Sequence, residues 1–205
     1  MNKLIGLINY KISNIRSVRN AFEKINLQTK IINENSDFDE CTHLVLPGVG
    51  TYKKGMLNLE RLNLIEPILK DVKKGKPILG LCLGMQLFSE IGEEFGPTNG
   101  LHLIPGNVSR IKCKKLILPH VGWNEIIIEK KNSHLFKGIP NKSCFYFIHS
   151  FAYSDIQKSN ISSKTHYEID FVSAIESENI FGAQFHPEKS QKYGLKLLKN
   201  FSDIN

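Results

Sequence analysis

Lys76-Pro-Ile-Leu-Gly-Leu-Cys-Leu-Gly-Met-Gln-Leu-Phe88 decides how the rest of the chain is read. Behind the Gly75/Pro77 break, Pro77 to Leu81 is a short apolar run of the kind that forms a buried strand. From Gly84 the period changes, and Met85, Leu87, Phe88 and Ile91 recur at helical spacing. Cys82 stands at the junction, flanked by Gly80 and Gly84. Glycines let the backbone crowd a strained strand-to-helix turn that pushes a nucleophile into the open. A helix starting just after the thiol favours its thiolate form. The same pattern also suits a plain buried cysteine, so a second observation is needed.

That observation lies a hundred residues downstream, in Phe181-Gly-Ala-Gln-Phe-His-Pro-Glu-Lys-Ser190. His186 and Glu188 follow an apolar run, and Pro187 restricts the backbone between them. A cysteine nucleophile needs a base within hydrogen-bond reach and a group that orients the base. By these two motifs, in this order, the chain resembles the class I glutamine amidotransferases of the triad type. The resemblance implies Cys82 as nucleophile, His186 as base and Glu188 as the orienting carboxylate.

The upstream half supports an α/β fold with an open, mostly parallel sheet covered by helices on both faces. Leu4 to Ile8 reads as a strand, Ile15 to Ile25 carries a helical stripe, and Thr29 to Ile32 and His43 to Leu46 read as further strands. Helices are expected around Met56 to Leu62 and Ile65 to Lys73, and another from Gly84 until Glu93-Glu94-Phe95-Gly96 closes it. Pro47-Gly-Val-Gly50 follows the third strand, and two glycines around Val49 make a peptide able to reorient toward an anion. By the resemblance, Val49, Gly50 and the amide of Leu83 form the oxyanion hole, while Gln86 and Glu94 hold the substrate glutamine.

The downstream half reads as strand-rich, with candidates at 107–111, 125–128, 144–148, 171–175 and 180–184. Leu118-Pro-His-Val-Gly-Trp-Asn124 reads as a loop, and Trp123 fits a packed corner or a contact surface. Tyr193, Leu197, Leu198 and Phe201 mark a closing helix. Pro119 to Asn124, Tyr146 to Phe151, Pro47 to Gly50 and Gln184 to Ser190 jointly resemble the glutaminase subunits of imidazole glycerol phosphate synthases. That resemblance implies ammonia release through a thioester on Cys82. It also implies a separate (β/α)₈ cyclase partner that makes imidazole glycerol phosphate and aminoimidazole carboxamide ribotide. Pro119, His120, Gly122 and Trp123 are expected near the subunit contact. The main chain of His149, Ser150 and Phe151 is expected beside the substrate carboxylate, and the His149 side chain reads as a structural histidine.

The chain departs from this pattern at Asn9-Tyr-Lys-Ile-Ser-Asn14, where such subunits usually carry Asp-Tyr-Gly-x-Gly-Asn. Two alternatives keep the same triad: a paralogous glutaminase that feeds a sugar-amidinating enzyme, and a noncatalytic regulatory subunit.

At 205 residues and 41% hydrophobic, the chain suits one domain spanning 1–205. No apolar run has membrane-spanning length, and the N-terminus reads as a strand rather than a signal. Cysteines 41, 82, 113 and 144 lack metal or disulfide spacing, which points to a reducing cytoplasm and to no metal or other cofactor. The net charge of +7 comes from dispersed lysines without interleaved aromatics, so nucleic acid is not the expected partner.

Overall fold

The computed structural model describes residues 3–204. In chain order they form β1 (Leu4–Ile8), α1 (Ile15–Glu23), β2 (Gln28–Ile32), β3 (His43–Gly48), α2 (Tyr52–Arg61), α3 (Ile65–Lys73), β4 (Ile78–Cys82) and α4 (Leu83–Gln86). There follow β5 (Ile91–Gly92), β6 (Thr98–Asn99), β7 (Asn107–Arg110), β8 (His120–Glu125), β9 (Ile127–Ile128), β10 (Cys144–His149) and β11 (Phe151–Ser154). The chain ends with β12 (Ile161–Tyr167), β13 (Ile169–Ser177), β14 (Ile180–Ala183) and α5 (Gln191–Ser202).

The main sheet has eight strands in the order β2-β1-β3-β4-β14-β13-β12-β9. The first five are parallel, and β13, β12 and β9 extend the sheet by antiparallel pairing. Every residue of β3 and β4 is buried, as expected of strands covered on both faces. Side-chain alternation divides the apolar residues between two cores. Leu44, Leu46 and Ile78 pack with Leu59, Ile68 and Val72 of α2 and α3. Val45, Leu79 and Leu81 pack with Phe22 of α1 and Leu197, Leu198 and Phe201 of α5. The α/β fold read from the sequence is the fold observed.

Two smaller sheets lie at the end of the main sheet that carries Cys82: the pair β10–β8 and the four-stranded β11-β7-β5-β6. A single residue, Ser150, separates β10 from β11, so the chain changes sheets there. Two expectations need correction. The helix after Cys82 ends at Gln86 and gives way to a turn and then β5, so Glu93 and Glu94 follow a strand instead of closing a helix. With one turn of helix, the dipole behind Cys82 is weaker than a long helix would give. Residues 120–124, expected in a loop, belong to β8, paired along its length with β10. Strand β12 was not expected from the sequence.

The turn at Cys82 depends on how closely α4 lies on the sheet. A Cβ added at Gly84 would fall 1.7 Å from the Leu46 carbonyl oxygen, and one at Gly80 would fall 2.6 Å from Cα of Met85. Both obstacles are backbone, which cannot swing aside. Gly84→Ala should therefore destabilise the fold by at least about 2 kcal/mol, as overpacking does, measured by urea unfolding. A wild-type midpoint would show that Gly84 does not set the spacing between β3 and α4.

Candidate active site

Cys82 ends β4 with φ 52° and ψ −110°, a left-handed conformation that a side chain adopts only when its surroundings impose it. Its Sγ lies 3.8 Å from the Ile148 carbonyl, to which it can donate, and 3.7 Å from Gln184 Nε2, which donates to it. The parallel register explains the company it keeps. Ala183 pairs with Leu81, so the residues just beyond β14 emerge beside the residue just beyond Leu81. Gln184 and His186 thus arrive at the thiol from the neighbouring strand.

His186 is 3% exposed and firmly held. Its N–H donates to the Tyr146 carbonyl at 2.8 Å, and its own carbonyl accepts from Ser190 Oγ at 2.6 Å. Nδ1 pairs with Glu188 Oε1 at 2.8 Å, which leaves Nε2 for the thiol. Nε2 itself closes no hydrogen bond, so it is a free acceptor when the thiol is neutral. Burial pushes the imidazole pKa down, but a Cys82 thiolate and the Glu188 carboxylate outweigh it and raise His186 to about 10. Once the thiol has given up its proton, the imidazole keeps it.

The thiol opens into a pocket of about 280 Å³ lined by Val49, Gly50, Leu83, Gln86, Glu94, Pro119, Ile148, His149, Ser150, Phe151, His186 and Lys189. Every expected oxyanion and substrate-binding residue is in that lining, and Glu188 stands behind His186. Of the acidic pair, Glu94 rather than Glu93 faces the pocket, and its Oε2 also accepts the Tyr52 N–H at 2.7 Å, at the start of α2. Gln86 Nε2 donates to the Phe151 carbonyl at 2.9 Å and to Gln184 Oε1 at 3.0 Å. A larger groove of about 840 Å³ runs past Asn35, Glu60, Glu66 and Lys73, remote from the thiol and without a nucleophile. Among the described residues no group of His, Cys, Asp and Glu could hold a metal ion. Nor is any helix long and apolar enough to cross a membrane.

One candidate oxyanion donor is turned away. The Val49 N–H donates to the Ile12 carbonyl at 2.9 Å. Ile12 lies in the loop where glycines are replaced, and that loop has found another support. Lys11 adopts φ 67°, and its N–H donates to Asn9 Oδ1 at 3.3 Å. Tyr10 lies against Gly48, its hydroxyl buried and without a hydrogen-bond partner. Burial first, and then the nearby Cys82 charge, raise that hydroxyl above its usual pKa.

The four positions expected at a partner contact separate by strand alternation. Trp123 is 49% exposed and meets Tyr146 edge-on at 6.0 Å, on the same face as exposed Val121 and Ile148. Pro119 is exposed and Gly122 half-buried. His120 differs from its neighbours: its side chain is 3% exposed, stacked against Phe147 and Tyr167 on the inner face. A strand cannot present adjacent side chains to one partner. The sequence reading also passed over Gln184, Tyr146 and Lys189. Lys189 lies with its Nζ 5.5 Å from the centre of the Tyr146 ring, at the pocket mouth.

Comparison with known proteins agrees with this geometry. The model of the family described as "Glutamine amidotransferase class-I" matches residues 6–204. The imidazole glycerol phosphate synthase subunit HisH 1 of Campylobacter jejuni subsp. jejuni is 47% identical over 203 residues, covering 98% of this chain and all of that protein. The subunit HisH of Pelagibacter ubique is 42% identical over 207 residues, covering 98% and 99%. Among solved structures, PurLQS from Thermotoga maritima superposes with a TM-score of 0.78 at 20% identity, covering 98% of each chain. A structure described as a glutamine amidotransferase does so at 0.76 and 13%, covering 98% of this chain and 99% of that one. These two establish likeness of fold alone. The family match and the relatives, taken with the Cys82–His186–Glu188 geometry, show that this chain belongs to the class I glutamine amidotransferases.

Proposed function

We propose that residues 1–205 act as one glutaminase domain, the ammonia-producing subunit of a cytoplasmic imidazole glycerol phosphate synthase. The observation that carries the chemistry is the convergence of Cys82, His186 and Gln86 on one pocket, with Glu188 bonded to His186 from behind. The names of the relatives support the pathway, histidine biosynthesis. Cys82 Sγ attacks the side-chain carbonyl carbon of glutamine while its proton passes to His186 Nε2. The tetrahedral intermediate collapses, His186 returns the proton to the leaving nitrogen, and ammonia departs from a glutamyl thioester. Water, deprotonated by His186, then releases glutamate and frees Cys82. Glu188 fixes the imidazole tautomer throughout. The (β/α)₈ cyclase that consumes the ammonia would dock on the apolar face of Val121, Trp123 and Ile148, beside exposed Pro119 at the pocket mouth.

The Ile12–Val49 hydrogen bond supports a resting state with an incomplete oxyanion hole. For activation the Val49 N–H must leave Ile12, and a partner favours that state only by binding it more tightly than the resting one. One oxyanion donor is worth about 10²–10³ in rate. The isolated chain should therefore hydrolyse glutamine slowly, and the cyclase with its nucleotide ligand should raise turnover by about that factor. Full activity of the lone chain would refute the gate. Stimulation by a sugar-amidinating enzyme and by no cyclase would transfer the assignment to the paralogue.

Two substitution tests address the chemistry. In the complex, Cys82→Ala should abolish glutamine-dependent synthesis and spare synthesis from added ammonia, because the cyclase consumes ammonia from any source. Persistent glutamine use would refute the nucleophile. His186→Asn should lose about 10⁴–10⁶-fold in glutaminase turnover, and Glu188→Gln roughly 10–100-fold less, since the base costs more to lose than its orienter. Equal losses would mean that Glu188 does more than orient.

A further inference from the structure

A chain of buried and part-buried hydrogen bonds runs from β8 to the thiol, and its middle is a pair of histidines that the chemistry above does not use. Asn124 Nδ2 approaches His120 Nε2 at 3.3 Å, His120 Nδ1 lies 3.1 Å from His149 Nε2, and His149 Nδ1 lies 2.8 Å from the Phe151 carbonyl. Phe151 O also accepts from Gln86, which donates to Gln184, which in turn donates to Cys82. The acceptors fix the direction. A carbonyl oxygen only accepts, so His149 carries its proton on Nδ1 and, when neutral, offers a bare Nε2. His120 must then donate from Nδ1, leaving its own Nε2 to accept from Asn124. The Asn124 amide is oriented by its neighbours: Nδ2 donates to the His166 carbonyl at 2.9 Å, and Oδ1 accepts the Glu125 N–H at 2.8 Å. Burial keeps both rings neutral, lowering His149 to about 3 and His120 to about 4.

The position of the pair gives it a task. His120 and His149 are register partners, at the first residue of β8 and the last of β10. From His149 the chain crosses to another sheet through Ser150, which lies outside both ladders and is tied by one main-chain bond, its carbonyl accepting the Ile111 N–H at 3.0 Å. That crossing rims the pocket, and the carbonyl of Ile148, two residues before it on β10, faces Cys82 Sγ. We propose that His120 and His149 are positioning residues: their directed hydrogen bonds hold the Ile148–Phe151 main chain in register with Cys82, so that glutamine finds its pocket formed. This rests on the glutaminase reading and adds two side chains to the machinery of that site.

The test uses the intact chain and two thiol reagents. 6-Diazo-5-oxo-L-norleucine must occupy the glutamine pocket to label Cys82, whereas iodoacetamide needs only the thiol. Each is followed by mass spectrometry of the Cys82 peptide. His120→Phe keeps a ring between Phe147 and Tyr167 but leaves His149 Nε2 without a donor. It should slow the diazo label about tenfold, the scale of one buried hydrogen bond, and leave iodoacetamide labelling within twofold. His120→Asn, whose amide can donate from near the Nδ1 position, should restore most of the loss. Nitrogen NMR of the wild type should show both rings neutral with the proton on Nδ1.

Should His120→Phe fail to fold, Asn124→Leu at the half-buried outer end should slow the diazo label about threefold. Unchanged diazo labelling in a folded variant, equal slowing of both reagents, or an Nε2–H tautomer on either ring would overturn the proposal. A wild-type chain that resists the diazo reagent even with the cyclase and its nucleotide ligand bound would refute the glutaminase reading, and the role of the pair with it. A labelled wild type matched by its variants would refute the pair alone.

Discussion

The steric contact between α4 and the sheet is the constraint on which the site depends. Gly84 lies so near the Leu46 carbonyl, and Gly80 so near the Met85 backbone, that no side chain fits at either position. With those spaces closed, the chain leaves β4 through a residue forced to φ 52°, and that residue is the cysteine. Backbone strain of this kind costs of order 1–3 kcal/mol and persists only where the surrounding structure imposes it. Here the imposition comes from two fully buried strands. Cys82 is thus held between fully buried strands, while much of its pocket comes from the less regular ends of β3, β10 and β14.

The two halves of the chain differed in legibility for a physical reason. The parallel strands are buried on both faces and read as apolar runs, so β1, β3 and β4 stood out. Strand β12 did not, because its interior is polar. Ser162 and Ser163 are fully buried in it, satisfied by Ser133, Glu176 and Ser173. No hydropathy pattern reveals a serine whose partner lies far away in sequence. Residues 120–124 were misread as a loop for a related cause: Pro119 and Gly122 signal a turn, and the pairing partner that makes a strand of them begins 20 residues later at Cys144.

That Cys82, His186 and Glu188 belong together was legible because each sits next to a backbone signal, the flanking glycines at Cys82 and the proline between His186 and Glu188. The pocket residues Gln86 and Glu94 were legible only through family resemblance. Tyr10 and Ile12 could not have been found from composition or period. Ile12 contributes a backbone carbonyl, which any residue would supply, and Tyr10 matters through its position under Gly48. Position 120 was expected near a subunit contact, and that its side chain turns inward could be seen only once residues His120–Glu125 were known to form a strand.

Strand β8 has one further consequence. Its even-numbered positions face the interior and the odd-numbered ones face solvent, so a single short segment carries two records that can change separately. Val121 and Trp123 can vary to suit a different neighbour while His120 and Asn124 stay fixed. A lineage could therefore exchange the protein it delivers to without rebuilding its own chemistry, and duplicated copies of such a gene would diverge first in these outward residues.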